Sequence, residues 1–109
     1  MPSFLLMVAS NPKAGGDDAY NEWYTNQHIP DVLKVPGFVA ARRYQTIDHD
    51  KTSQNYLALY EIEAASFEDA RASLTKHAKE MYIAREFDRD SLLVVGYEAI
   101  TERIVRTSG

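Results

Sequence analysis

The sequence predicts an α+β domain of βαββαβ plan, with one four-stranded sheet and two helices on one of its faces. Three observations lead there. Apolar runs of strand length stand near both ends of the chain. Two stripes of helical period lie between them. A pair of strand-like segments around a polar loop occupies the middle.

The first strand runs from about Ser3 to Ala9. Phe4-Leu5-Leu6-Met7-Val8-Ala9 is continuously apolar, the pattern of a strand covered on both faces. Asn11-Pro12 and Gly15-Gly16 then break the chain. Asp17 is the expected N-cap of a helix, and Asp18 suits its first turn. Tyr20, Trp23, Tyr24 and Gln27 follow at offsets of three, four and seven, one helical stripe. Pro30 restricts Ile29, so the helix is expected to end near His28.

Pro36-Gly37 marks the next turn. Phe38 to Thr46 reads as the second strand, Asp48-His49-Asp50-Lys51 as a hairpin loop, and Asn55 to Glu63 as the returning strand. Ser66 caps the second helix, with Asp69 three residues on. Phe67, Ala70, Leu74, His77, Ala78 and Met81 form its inward stripe. The last strand spans about Ser91 to Ile100, with an extension toward Val105. This order is the split βαβ, or ferredoxin-like, arrangement. No repeat or linker divides the 109 residues, so they are expected to form one domain.

Composition narrows the function. Cysteine is absent, which excludes disulfides, thiolate metal sites and a cysteine nucleophile. The net charge is −4, so there is no basic surplus to neutralise nucleic-acid phosphates. The first apolar run has no basic segment before it and is too short to span a membrane. The expected setting is cytoplasmic, without nucleic-acid or membrane partners. His28, His49 and His77 lie on different elements with no paired spacing, so no metal set is expected.

Two helices cover only one sheet face. On the first strand Leu5, Met7 and Ala9 oppose Phe4, Leu6 and Val8; on the last, Leu93, Val95 and Tyr97 oppose Leu92, Val94 and Gly96. Both faces are apolar. An open apolar face of that size calls for a cover, and a homodimer through the sheet is the expected one.

Asn21-Glu22-Trp23-Tyr24-Thr25-Asn26-Gln27-His28-Ile29-Pro30-Asp31-Val32, continued by Val35-Pro36-Gly37-Phe38, resembles the dimeric α+β barrel superfamily in its EthD-like branch. There a W-Y-x-x-H-x-P-D motif precedes a P-G-F turn and an arginine-bearing strand, where Arg42-Arg43-Tyr44 stands here. The resemblance covers about a third of the chain. It implies a dimeric barrel with a pocket for a small organic molecule. Enzymes of this fold include monooxygenases without cofactor, cyclases, isomerases, dehydratases and haem-degrading enzymes. Fold alone does not select among them.

His28 is the first candidate for catalysis. At a helix C-terminus the dipole would favour its protonated ring, and histidine suits proton transfer near neutral pH. Tyr24 lies one turn earlier on the same face, and Asp31 would orient the imidazole. The plain alternative is a helix-capping histidine. His77 is the second candidate, facing His28 across the cleft, or else a hydrogen-bonded core residue. Haem held through His77, as in some relatives, is a minor alternative to an enzyme without cofactor.

Arg43 and Arg42 alternate across their strand, so one points under the helices. A buried arginine needs an anion, either a ligand's or that of Glu61 or Glu98. Tyr56 and Tyr60 share a strand face, and Tyr44 and Tyr97 would extend that lining. They are candidates for substrate contact, as is Trp23, with core packing as the alternative. The leading expectation is proton abstraction and return on a small cyclic or aromatic carbonyl compound, with lyase, isomerase or cyclase outcome. The alternatives are a quinone-forming monooxygenase, with Trp23 and Asn55 as pocket residues, and a non-catalytic dimer that binds a small molecule.

Overall fold

The computed structural model describes residues 2–108. Strand β1 (Ser3–Pro12) leads into helix α1 (Asp17–Trp23), a wide π-helical turn (Tyr24–His28) and the short helix α2 (Ile29–Val32). Strands β2 (Phe38–Gln45) and β3 (Tyr56–Glu63) form the hairpin. Helix α3 (Phe67–Ala78) and strand β4 (Phe87–Glu98) complete the plan. The sheet order is β2-β3-β1-β4 and every pairing is antiparallel. This is the ferredoxin-like arrangement expected from the element order.

The first helical segment corrects the sequence reading. Pro30 does not end it at His28. The Ile29 N–H donates to the Tyr24 carbonyl, a step of five residues, and the chain runs on as α2 to Val32. A proline needs room for its ring and leaves a carbonyl without its donor. The wider turn immediately before Pro30 accommodates both. Asp17 is the first helical residue rather than the cap, which is Gly16.

Helix α3 follows its expected cap. The Ser66 hydroxyl accepts the Asp69 N–H at 3.1 Å. Phe67 packs against Phe4 with ring centroids 5.6 Å apart. Gly96 lies directly beneath the Phe67 ring, where a Cβ would collide with it. Strand β4 starts at Phe87, four residues earlier than expected, and ends at Glu98. Beyond it the Ala99 N–H returns to the sheet, at the Ser3 carbonyl.

Pairing register sorts the side chains. Phe4, Leu6 and Val8 face the helices with Ile62, Tyr60 and Ala58 of β3. Ala41 and Arg43 join them from β2, and Gly96 and Val94 from β4. The helix-covered face holds the core, centred on Tyr20, Trp23, Tyr24, Val32, Tyr60 and Ile62. Leu5, Met7, Ala9, Leu57, Leu59, Leu93, Val95 and Tyr97 form the outer face. Nothing among the described residues covers it, and Leu93 and Tyr97 remain 45% and 52% exposed. Tyr44 and Tyr97 therefore do not extend the lining begun by Tyr56 and Tyr60. They stand on the opposite face. Among the described residues no helix is long and apolar enough to cross a membrane.

Candidate functional site

A cavity of about 210 Å³ lies between the sheet and the helices. Leu6, Val8 and Tyr60 form its floor, and Leu92 and Val94 continue it on β4. Trp23, Tyr24, His28 and Val32 come from the first helical segment, and Leu74 and Ala78 from α3. Met81, Ile83, Phe87 and Arg89 close it from the segment that leads into β4.

The walls are almost wholly apolar, so the few polar atoms stand out. The Tyr60 hydroxyl and His28 Nδ1 are both buried, and neither has a hydrogen-bond partner. Most buried polar atoms are paired, so these two in residues lining one cavity are exceptions, with Arg43 Nε as a third away from it.

The wide turn carries His28. Its ring stacks on Trp23 at 4.8 Å and meets the Tyr24 ring edge-on at 5.1 Å. Burial drives its pKa down from 6.5 to about 4, and the nearby Asp31 charge opposes this only in part. The imidazole is therefore neutral at pH 7. The expected protonated ring is corrected, because burial disfavours the charged form, and the helical segment runs on past His28. Asp31 does not orient the ring by a hydrogen bond either; its carboxylate pairs with Lys34 at 3.9 Å. Burial also raises the Tyr60 hydroxyl well above the usual phenol range, reinforced by Tyr24. It raises Tyr24 likewise. Both phenols stay protonated and can donate.

Trp23 is pinned by its indole N–H, which donates to the Tyr82 carbonyl at 3.0 Å. It is 7% exposed and serves as both wall and packing.

His77 is not part of this arrangement. It does not line the cavity, and its Nδ1–H donates to the Ser73 carbonyl one turn back, at 2.8 Å. It does not face His28. Haem held through His77 finds no ligand in this cavity, because His77 does not line it. An apolar cavity of about 150 Å³ suffices for benzene, and this one is larger, at about 210 Å³.

Arg43 lies under the first helical segment, but neither Glu61 nor Glu98 pairs with it. Its guanidinium sits over the Tyr24 ring at 4.4 Å. It donates to Thr25 Oγ1 at 3.0 Å and to Asn21 Oδ1 at 2.8 Å. The aromatic faces and neutral oxygens replace the expected carboxylate, and Tyr24 separates Arg43 from the cavity lining. Tyr56 also stands apart, its hydroxyl donating to Asp17 Oδ2 at 2.8 Å. Asn55 lines a groove on the outer face, so it does not converge with Trp23.

Leu74, Met81 and Leu92 were legible as apolar stripe residues. Arg89 was missed, since the last strand was expected to start only near Ser91. No group of three or more potential metal ligands occurs among the described residues.

No family model matches the chain, and no curated protein matches it by sequence. Solved structures do match. An EthD family protein from Bacillus halodurans is 19% identical with a TM-score of 0.61, covering 92% of this chain and 100% of that one. A dimeric ferredoxin-like protein of unknown function from Jannaschia sp. is 17% identical with a TM-score of 0.61, covering 89% and 99%. A mutant form of MhuD with two manganese protoporphyrins bound per active site is 13% identical with a TM-score of 0.67, covering 94% and 99%. The chain thus has the ferredoxin-like α+β fold found among dimeric and EthD proteins, as the resemblance around Trp23, His28 and Pro36 implied.

Proposed function

We propose that the chain binds a small cyclic or aromatic compound between helices and sheet, and that His28 acts there as a base. The observation that carries the reading is the pair of unpartnered buried groups, Tyr60 hydroxyl and His28 Nδ1, in residues lining one apolar cavity. A neutral imidazole can take a proton from the carbon beside a carbonyl. A protonated phenol can donate to the oxygen on which the negative charge then gathers. Returning the proton to another atom completes an isomerisation, and loss of a leaving group completes a lyase reaction. Trp23 and Tyr24 hold the imidazole ring in place.

The experiment is a thermal-shift screen of one-ring phenols, lactones and aromatic acids on wild type and His28→Gln, followed by turnover assays on compounds that stabilise. Removing the base should lower the rate by about 10²–10⁴-fold. The acid limb of kcat/KM should fall near pH 4, where His28 protonates, instead of near 6.5. Stabilisation without turnover, unchanged in His28→Gln, would reduce the protein to a binding module. We further propose that a second copy covers the outer sheet face, as a homodimer. Leu59→Glu, at the centre of that face, should shift the mass seen by light scattering to that of one chain.

A further inference from the structure

We propose that Arg89 selects ligands carrying a carboxylate at the mouth of this cavity; the inference rests on the binding reading above and narrows its ligand class. Simple alternation along β4 argues against finding an arginine there. Val94 and Leu92 face the helices, and the same parity would bring Asp90 next. The strand instead bulges. Ala9 pairs with Leu93, but Asn11 pairs with Asp88, so β4 carries extra residues at this point. Ser91 holds the bulge, donating to the Asp88 carbonyl at 2.6 Å and accepting the Asn11 N–H at 2.7 Å. Such bulges re-aim side chains. Here the result is that Arg89, not Asp90, joins the lining.

Arg89 is the one charged residue in a lining otherwise built from apolar and aromatic side chains and His28. Among the described residues it forms no ion pair and no hydrogen bond, although Asp88 and Asp90 adjoin it in sequence. The Asp88 carboxylate accepts the Asp90 N–H instead, at 3.1 Å. A second hollow of about 280 Å³ shares Ile83, Phe87 and Arg89 with the cavity and adds Lys13, Ala84 and Arg85 with the carboxylates Asp88 and Asp90, so Arg89 is the basic residue of the hollow that also lines the apolar cavity. Arg85 is engaged by Glu86 at 3.2 Å. Arg89 thus stands where the apolar space meets the outer hollow, with its guanidinium uncommitted. A ring would occupy the inner space, its hydroxyl or carbonyl meeting Tyr60 and His28. A carboxylate at the other end would meet Arg89 in paired hydrogen bonds.

The test compares 4-hydroxybenzoate with its neutral isostere 4-hydroxybenzamide. Titration calorimetry measures affinity, and fluorescence of Trp23, the chain's single tryptophan, reports entry into the cavity. Wild type should bind the carboxylate about tenfold or more tighter than the amide. Arg89→Met should erase that preference, lowering carboxylate affinity far more than amide affinity, while Arg89→Lys should keep part of it. Equal affinities in wild type, or a preference that survives in Arg89→Met, would overturn the assignment and leave the cavity reading standing. Failure of both compounds to bind wild type would overturn the cavity reading itself.

Discussion

The aromatic cluster under the helices has two polar ends, and they are finished differently. At one end Tyr20 and Ser10, both fully buried, share a hydrogen bond of 2.6 Å. Arg43 is spent on Asn21, Thr25 and the Tyr24 ring, with only its Nε lacking a partner, and Tyr56 is spent on Asp17. At the other end, among the described residues, His28 Nδ1 has no partner, and the Tyr60 hydroxyl has only the neighbouring Tyr24 hydroxyl near it, without a formed hydrogen bond. Both ends carry tyrosine hydroxyls under the same helices. What separates structure from candidate site is therefore whether the hydroxyl and ring nitrogen already have partners, since at the finished end only Arg43 Nε lacks one. A satisfied group stabilises the fold, and an orphaned one costs stability until something binds.

The comparison breaks most severely at Tyr20. Tyr20→Ala should cost about 3–5 kcal/mol in urea unfolding, because a fully buried ring leaves a cavity among Trp23, Tyr24 and Phe87. Next in size is the effect of pH at the orphaned end. The unfolded chain protonates His28 near pH 6.5, the folded chain near 4. Between these values the unfolded state holds more protons, so stability is full above 6.5 and falls as pH drops toward 4. The loss should reach up to about 3 kcal/mol, allowing for the ring's partial exposure. Unfolding at pH 7.5, 5.5 and 4.5 should show a slope in wild type that His28→Gln flattens.

The sharpest version uses one atom at each end. Tyr20→Phe strands the buried Ser10 hydroxyl and should cost about 1–3 kcal/mol. Tyr60→Phe removes a hydroxyl that has no partner, so it should change stability by less than about 0.5 kcal/mol or raise it slightly. It should still weaken binding of any ligand that accepts from Tyr60. Equal destabilisation by the two variants would mean that the Tyr60 hydroxyl is satisfied in solution and that the contrast between the ends is false.

Much of this molecule was legible along the chain because its signals are local. Alternating and continuous apolar runs marked four strands. Ser66 with Asp69 marked the start of α3, and Pro36-Gly37 the turn into β2, where Gly37 adopts a φ of 93°. His28, Tyr24, Trp23 and Tyr60 were legible as polar or aromatic residues on inward faces. Arg89 was not, because a bulge leaves no mark in a pattern of period two.

The sequence by itself determined the order of elements, the apolar character of both sheet faces and the residues able to move a proton. Those follow from spacing over a few positions. Tertiary structure decided the rest. It carried the helix past Pro30, turned His77 aside, gave Arg43 aromatic faces in place of a carboxylate and brought Arg89 to the cavity. It also set the charge of His28. The physical reason is that hydrogen-bond satisfaction and desolvation depend on partners distant in sequence, as Trp23 depends on Tyr82, and local pattern does not encode them.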